Sequence, residues 1–284
     1  MARRGREGEQ LWDLLADCRV YDLAQPLEST MPVSPNHPGF KMALMRRHGD
    51  GERADGSSAA NEVMVLGGHT GTHIDALCHV SHRGKLFGGG AAAAAQLGGR
   101  FTEHGVETIP LTLCRGVLLD IARLKGVDVV PPESPITAED LEAASARQGV
   151  EVREGDAVLL RTGWPRHWNE RETFLGLRAG APGPDEPAAA WLADRRVRMT
   201  GGETVAYEWI PPGRGHALLP VHRLLLVERG IFIIEMLDLT ELAAEEEWEF
   251  LFVLTPLKVV GATGVPVRPI AVVAAATEPG TPAP

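Results

Sequence analysis

Four of the chain's ten histidines lie within fourteen residues, in the segment 67–82, where an even distribution would place roughly 0.5. His73 and Asp75 are two residues apart, so on a β-strand their side chains point to the same face. His69 precedes them across a Thr-Gly-Thr turn, in which Gly71 lets the backbone fold back. Two imidazoles and a carboxylate on one side of a divalent ion are typical of a hydrolytic site that keeps a position open for water.

The remaining candidate side chains give no chemical prediction from spacing, since a lone buried histidine is usually a hydrogen-bonded core residue. This applies to His37, His48, His82, His104, His167 and His216. Cys78 would face away from Asp75 on a strand and is interpreted as a packing residue. The isolated carboxylates Glu62, Asp156, Glu203 and Glu208 are interpreted as solvated or structural groups. Glu203 follows a Gly-Gly turn and is also a candidate for the entry to the site.

Short aliphatic segments alternate with amphipathic ones, and this alternation predicts an α/β fold. Strands bounded by Gly, Pro or Asp are predicted at Gly116–Ile121, Ala157–Arg161, Ile231–Ile234, Phe250–Leu254 and Val272–Ala275. Helices are predicted at Thr137–Arg147, which opens on a near capping box, and at Pro187–Arg196 and Pro220–Arg229. Gly88–Ala95 is predicted to be a loop that runs into a small-residue helix, and Leu23–Phe40 an ordered loop.

Composition limits the class of protein. The 284 residues fit a single domain at 10–276 between flexible ends at 1–9 and 277–284. The net charge of −10 and the lack of a basic cluster argue against nucleic-acid binding. No apolar run has the roughly 18 residues of a membrane span, and no signal-peptide core follows Met1. Three cysteines without C-x-x-C spacing predict no disulfide framework. We therefore expect a cytoplasmic protein that binds a small molecule.

The segment His69-Thr-Gly-Thr-His73-Ile-Asp75-Ala-Leu-Cys-His79 resembles the signature of the metal-dependent cyclase family, which includes bacterial kynurenine formamidase and isatin hydrolase. The family pattern is His-x-Gly-Thr-His-x-Asp-x-Pro-x-His, and this chain departs from it only at Leu77, which replaces Pro. Other segments are similar to the family's opening strand and later regions, namely Tyr21–Leu27, Arg115–Asp120, Gly155–Trp164 and Pro256–Pro269. The resemblance spans about residues 20–273.

The resemblance implies a swivelling β/β/α cyclase-type fold, with a mixed sheet and flanking helices, and a homodimer or homotetramer. It implies that His69, His73 and Asp75 hold a divalent metal ion. His79, the last residue of the motif, matches the family's proton-transfer residue, and because it lies four residues after Asp75, strand alternation predicts that it points to the same face. An unperturbed imidazole pKa of about 6.5 suits proton transfer near neutrality.

A second metal position is implied by the segment Val221–Glu235, which resembles the region of kynurenine formamidase that supplies a later His and a Glu. The resemblance implies that His222 and Glu235 share Asp75 with a second ion, although their separation is one residue longer than in the formamidase. The alternative is that these two side chains orient the ligands of the first ion through hydrogen bonds. Imidazole and carboxylate ligands suit Zn or Mn, so we expect one or two such ions per chain.

The predicted function is a metal-dependent hydrolase of a small amide or lactam, which uses metal-activated water and a histidine proton shuttle. The loop Pro32–His37 lacks the Trp that kynurenine formamidase uses against its substrate, which argues against formylkynurenine. A metal-dependent cyclase or dehydratase of a secondary metabolite is the alternative. A metal-dependent binding or scaffold protein is a third possibility, and the extra histidine at His79 argues against it.

Overall fold

The centre of the fold is a mixed β-sheet, seen in a computed structural model that describes residues 15–274. The predicted flexible ends at 1–9 and 277–284 lie outside the described residues. The strands are β1 Arg19–Asp22, β2 Lys41–Arg46, β3 Asn61–Val65, β4 His73–Asp75, β5 Gln96–Leu97, β6 Arg100–Phe101, β7 Thr112–Asp120, β8 Ala157–Arg161, β9 Met199–Gly202, β10 Phe232–Glu235, β11 Glu249–Leu254, β12 Gly264–Pro266 and β13 Ile270–Val273.

Helices lie between the strands, as expected for an α/β chain. The α-helices are α1 Ala92–Ala95, α2 Ile121–Lys125, α3 Ala138–Gln148, α4 Arg171–Phe174, α5 Glu186–Asp194, α6 Pro220–His222 and α7 Thr240–Ala244. Short 3₁₀ turns occur at Phe87–Gly89, Val106–Thr108 and Trp164–His167, and α6 continues into a π-helical segment at Arg223–Arg229.

The main sheet has nine strands in the order β1-β13-β11-β7-β8-β9-β10-β4-β12. The central strands β7, β8, β9 and β10 are parallel, and the strands on either side are antiparallel to their neighbours. Two small antiparallel pairs, β2 with β3 and β5 with β6, lie outside this sheet. The mixed sheet with flanking helices confirms the predicted fold class.

The five predicted strands are confirmed. Four of them correspond to β8, β10, β11 and β13 with bounds that differ by at most two residues. The predicted strand Gly116–Ile121 begins earlier, at Thr112, and ends at Asp120. It ends there because the Asp120 side chain caps α2 by accepting a hydrogen bond from the backbone N–H of Arg123 at 2.9 Å. Ala275, the predicted end of the last strand, lies outside the described residues.

The predicted helices are also confirmed. A complete capping box opens α3: the Thr137 hydroxyl accepts from the Asp140 N–H, and the Asp140 carboxylate accepts from the Thr137 N–H. The helix predicted at Pro220–Arg229 is present, but its second part widens into the π form and ends at Gly230, whose φ is +68°. π-Helical turns are rare and occur frequently at functional sites.

Both faces of the central strands are buried. In β7, Val117 and Leu119 pack into one apolar cluster with the residues of α3 and α5, while Leu118 packs into a second cluster on the opposite face. This explains why the central strands read as unbroken apolar runs rather than as alternating patterns. In the part of the chain that the structure describes, no helix is long and apolar enough to cross a membrane.

Candidate metal centre

Strand β4, between β10 and β12, carries two of the predicted metal ligands. His73 and Asp75 are buried and occupy alternate positions, so they share a face as the sequence predicts. The antiparallel register with β10 sets Glu235 directly opposite His73. At the start of β4 the turn at Gly71, with φ +63°, returns the chain so that His69 Nδ1 lies 2.8 Å from Asp75 Oδ1.

The ring of His69 lies against the backbone of β12. Its Nε2 is 2.9 Å from the hydroxyl oxygen of Thr263. A Cβ atom added to Gly264 would lie 2.5 Å from the imidazole, closer than real Cβ atoms approach other heavy atoms. Glycine at this position therefore leaves the space that the His69 ring occupies.

The tautomer of His73 follows from its hydrogen bond. Its Nδ1 lies 2.7 Å from the carbonyl oxygen of Gly71, which can only accept, so Nδ1 carries the proton. Nε2 then faces the cluster, 3.2 Å from Glu235 Oε2 and 3.6 Å from Asp75 Oδ1. This is the orientation that a ligating imidazole requires.

His222 reaches the same cluster from the end of α6. Its Nε2 lies 3.2 Å from Glu235 Oε1 and 3.6 Å from Asp75 Oδ2. Its Nδ1 lies 2.6 Å from Glu208 Oε1. The fold thus brings His222 and Glu235 to the motif on β4, although about 150 residues separate them from it in the sequence.

His79 lies in the same cluster, but the reason predicted from strand alternation is wrong. The strand ends at Asp75, and His79 lies in a turn in which its N–H donates to the carbonyl of Ala76. The His79 ring packs 4.0 Å from the ring of His69, measured between centroids. The turn, rather than a pleat, brings His79 to the site.

The donor atoms form two groups that share Asp75. One comprises His69, Asp75 and His79, the other Asp75, His222 and Glu235, and within each group one ligand atom per residue lies within 4.8 Å of the others. His79 therefore lies close enough to the donor atoms of His69 and Asp75 to be a ligand. Its position suits ligation as well as the proton transfer that the resemblance implies.

The cluster attracts positive charge. Burial opposes ionisation of Asp75, but the neighbouring imidazoles of His79, His222 and His69 outweigh it and hold the Asp75 pKa well below its ordinary value. Burial likewise opposes the protonation of His222, yet the carboxylates around it raise its pKa well above the ordinary value. A buried anionic cluster of this kind favours any cation that can replace the protons on its imidazoles.

His79 behaves differently from His222. Burial is the largest cause of the lowered His79 pKa of about 4, and the neighbouring imidazoles of His69 and His222 add to it, although the Asp75 carboxylate acts in the opposite direction. The imidazole is therefore neutral at pH 7 and able to accept a proton.

The residues of the cluster fit a divalent metal ion. Within the described residues, His73 Nε2 and both carboxylate oxygens of Asp75 are buried and form no hydrogen bond of good geometry. The polar atoms around them, at 2.8–3.6 Å, are the other donor atoms of the cluster. Buried polar atoms without partners are rare in folded proteins, and a bound ion is one way to satisfy them. Nitrogen and oxygen donors of this type suit zinc or manganese.

Cys78 and Glu203 are structural groups. Cys78 is buried in the second apolar cluster, and burial raises its thiol pKa to about 12, so it is not a thiolate ligand. Glu203 is buried away from the imidazoles, where its Oε2 accepts hydrogen bonds from the backbone and hydroxyl of Thr162 and from Gly163. It does not line the cleft at the site.

Asp156 and Glu62 also lie outside the site. The Asp156 carboxylate accepts from the guanidinium of Arg115 at 2.7 Å and from the backbone N–H of Arg153 at 2.8 Å. Glu62 is exposed on β3. Both agree with the interpretation of these carboxylates as structural or solvated groups.

Sequence reasoning missed three residues of the site. Glu208 bonds to His222, while His37 and His216 line the cleft that opens over the cluster. The His37 ring lies 5.1 Å from that of His69, and burial lowers the pKa of both His37 and His216. The loop Pro32–His37 contained a usable signal, since it aligns with a substrate-contacting loop of the family, but nothing in the sequence marks Glu208 or His216.

The chain is similar to known proteins over most of its length. Residues 21–209 match the family model "Putative cyclase". An isatin hydrolase from Roseibium aggregatum is 26% identical over 223 residues, which cover 78% of this chain and 77% of that protein.

Solved structures have the same fold. The crystal structure of a novel cyclase superposes with a TM-score of 0.82 and 29% identity, covering 92% of this chain and 90% of the other. Isatin hydrolase A from Ralstonia solanacearum superposes with a TM-score of 0.71 and 24% identity, covering 95% and 99%. At 24% identity this second likeness concerns the fold alone.

Proposed function

The chain belongs to the cyclase family, and from this premise we propose that its substrate is a small amide or lactam with a non-peptide C–N bond. The protein is a metal-dependent hydrolase that acts on C–N bonds. The observation that carries the proposal is a set of buried donor atoms that form no hydrogen bond of good geometry: His73 Nε2, on a residue that lines the cleft, and the two oxygens of Asp75. Such atoms suit a metal ion at the base of a cleft open to substrate.

The proposed metal positions follow the donor atoms. As the family resemblance implies, His69, His73 and Asp75 would hold one divalent ion, zinc or manganese; His69 Nδ1 and His73 Nε2 lie 2.8 Å and 3.6 Å from Asp75 Oδ1. His222 and Glu235 would share Asp75 with a second ion. An ion bound there supplies a Lewis acid for the substrate carbonyl and lowers the pKa of water towards neutrality. The sharing of Asp75 between the two donor groups supports two positions over one.

His79 is the proposed proton-transfer residue. As a neutral imidazole it accepts a proton from the attacking water and passes it to the leaving nitrogen as the C–N bond breaks. Burial lowers its pKa to about 4, so the free ring is neutral at pH 7 and can accept a proton, as a weaker base than an unperturbed imidazole. Its close contact with His69 places the ring beside the proposed ligands.

The cleft supports a compact substrate. Its walls combine apolar side chains with a few polar ones, and its lining includes Val33, Ser34, Val205, Leu219 and Met236. Ser34 takes the place of the aromatic ring that would stack on formylkynurenine, which supports a substrate other than that one.

The test is turnover of a panel of lactams, lactones and N-formyl amines by protein loaded with zinc or manganese. We expect a product heavier by one water, formed only by metal-loaded protein, and no turnover by the His73→Ala/Asp75→Ala double variant. A product lighter by one water would instead identify a cyclase or dehydratase. A wild-type protein that binds no divalent ion, or turnover that a chelator leaves unchanged, would overturn the proposal.

We further propose that the chain forms a homodimer or homotetramer through the hairpin β2–β3. Both strands are exposed along their whole length, and Met42 and Met64, which pair directly across the hairpin, are 57% and 56% exposed. A groove of about 1050 Å³ beside the hairpin is lined in part by Leu257 and Val259, which are also exposed. An uncovered two-stranded hairpin is marginally stable, and an apolar surface of this kind is typical of an interface.

Light scattering tests the assembly. We expect Met42→Lys/Met64→Lys to yield a monomer, while Val127→Lys, a matched change at a half-exposed valine after α2, keeps the wild-type mass. A wild-type monomer at micromolar concentration would refute this proposal.

The proposed setting is the cytoplasm, with a small molecule as the partner and neither nucleic acid nor a membrane. The net charge of −10 supports a protein that does not bind nucleic acid. Three cysteines without a disulfide framework support a reducing compartment.

A further inference from the structure

We infer that Glu208 is a positioning residue, which fixes the ring of His222 so that Nε2 faces the metal position shared with Asp75 and Glu235. This inference rests on the proposed function, since it assigns a supporting residue to the same centre. Glu208 is 1% exposed and lies deeper than the cleft, so it acts through His222 rather than on substrate.

Three hydrogen bonds tie the Glu208 carboxylate to the start of α6. Oε1 accepts from the Nδ1 of His222 at 2.6 Å and from its backbone N–H at 2.9 Å, and Oε2 accepts from the N–H of Val221 at 3.1 Å. One carboxylate therefore holds both the ring and the backbone that carries it. Because the carboxylate is an acceptor, Nδ1 carries a proton, and any proton on Nε2, which faces Asp75 and Glu235, is the one that a metal ion would replace.

A charged partner distinguishes His222 from the other imidazoles of the centre. On the ring nitrogen that faces away from the carboxylates of the cluster, His73 contacts the carbonyl of Gly71 and His69 the hydroxyl of Thr263, both of which are neutral groups. A carboxylate hydrogen bond is about twice as strong as a neutral one and increases the electron density on the ring. His222 is thus the imidazole whose orientation depends most on a single side chain.

The backbone before Glu208 supports a fixed position. Tyr207 has φ +55°, in the left-handed region that non-glycine residues seldom adopt, and its buried hydroxyl lies 2.7 Å from the hydroxyl of Thr200 on β9. A conformation of this kind persists only where surrounding contacts hold it, and such residues concentrate at functional sites. The sheet therefore anchors the segment that presents Glu208.

The test is a double-mutant cycle on metal affinity, measured by chelator competition with zinc and by elemental analysis. His222→Ala identifies the ion that depends on this ring. We expect Glu208→Ala to weaken the same ion by roughly 10–100-fold, and Glu208→Gln to weaken it less, because an amide oxygen still accepts from Nδ1. The double variant Glu208→Ala/His222→Ala should bind zinc no more weakly than His222→Ala alone, because Glu208 acts through that ring.

Glu203→Ala is the matched control, because it also removes a buried carboxylate that holds backbone N–H groups but contacts no imidazole of the site. A second readout is the Nδ1 proton of His222, which we expect to give a protected low-field NMR signal in wild type and in Glu203→Ala but not in Glu208→Ala. Thermal unfolding of each variant checks that the compared proteins are folded.

Some outcomes overturn the inference. It fails if Glu208→Ala keeps wild-type zinc affinity, if the losses in the double variant add, or if Glu203→Ala weakens zinc equally. A wild-type protein that binds zinc with this coupling but hydrolyses no amide would refute the proposed function alone. A wild-type protein that binds no zinc would refute both.

Discussion

The buried carboxyl group of Glu203 should make the stability of the protein depend on pH. Burial is the largest influence and raises its pKa to about 7, although hydrogen bonds from Thr162 and Gly163 favour the charged form. The folded chain therefore holds this proton more tightly than the unfolded chain, in which a glutamate titrates near 4.5.

The magnitude and direction follow by linkage. The stabilisation that the folded state gains from the protonated Glu203 is complete below about pH 4.5 and is lost as the pH rises through about 7. At about 1.4 kcal/mol per pKa unit, the difference between the unfolded pKa of 4.5 and the folded pKa of about 7 corresponds to a loss of about 3 kcal/mol in the free energy of unfolding. Because the residue is fully buried, solvent does not screen this contribution.

The assay is urea unfolding of wild type and Glu203→Gln at several pH values between 4.5 and 8. Glutamine cannot ionise, so the free-energy difference between the two proteins should shift with pH by about 3 kcal/mol in favour of the variant at high pH. Glu133→Gln removes a charge at an exposed position outside the hairpin β2–β3 and serves as the control. A difference between wild type and Glu203→Gln that stays constant across this range would refute the reasoning.

Three further predictions concern the metal centre. His79→Ala should keep its metal and lose about 10²–10⁴-fold in kcat as a proton-transfer residue, whereas lost metal would identify His79 as a ligand. Glu235→Ala should lower the metal content by one ion per chain, measured by elemental analysis, and an unchanged content would contradict direct ligation. Gly264→Ala places a Cβ 2.5 Å from the His69 ring, so it should weaken zinc by roughly 10–100-fold in a folded protein; wild-type affinity would show that the ring adapts.

The sequence by itself determined the local features. Strand β8 has the predicted bounds, and the capping box at Thr137 opens α3 where its side-chain pattern predicts. His73 and Asp75 share a face of β4, and Gly71 takes a positive φ in the turn before it. These features were predictable because their causes are contained within a few neighbouring residues: strand alternation, end caps and the conformational freedom of glycine.

The family resemblance also predicted candidate ligands that are distant in the sequence, but it did not predict the groups that surround them. It pointed to His222 and Glu235, which the structure brings within 3.6 Å of His73 and Asp75 through the pairing of β4 with β10 and the placing of α6. His79 joined the cluster through a turn that strand periodicity did not predict.

The tertiary structure alone decided which charged groups support the centre. Glu203 and Glu208 are five residues apart, and no local pattern in the sequence separates their roles. Glu203 accepts a hydrogen bond from the backbone of Thr162, whereas Glu208 accepts one from the ring of His222. Their different roles arise because each carboxylate is buried among donors from another segment of the chain. Burial and long-range hydrogen bonding depend on packing between segments, and no local pattern of residues encodes them.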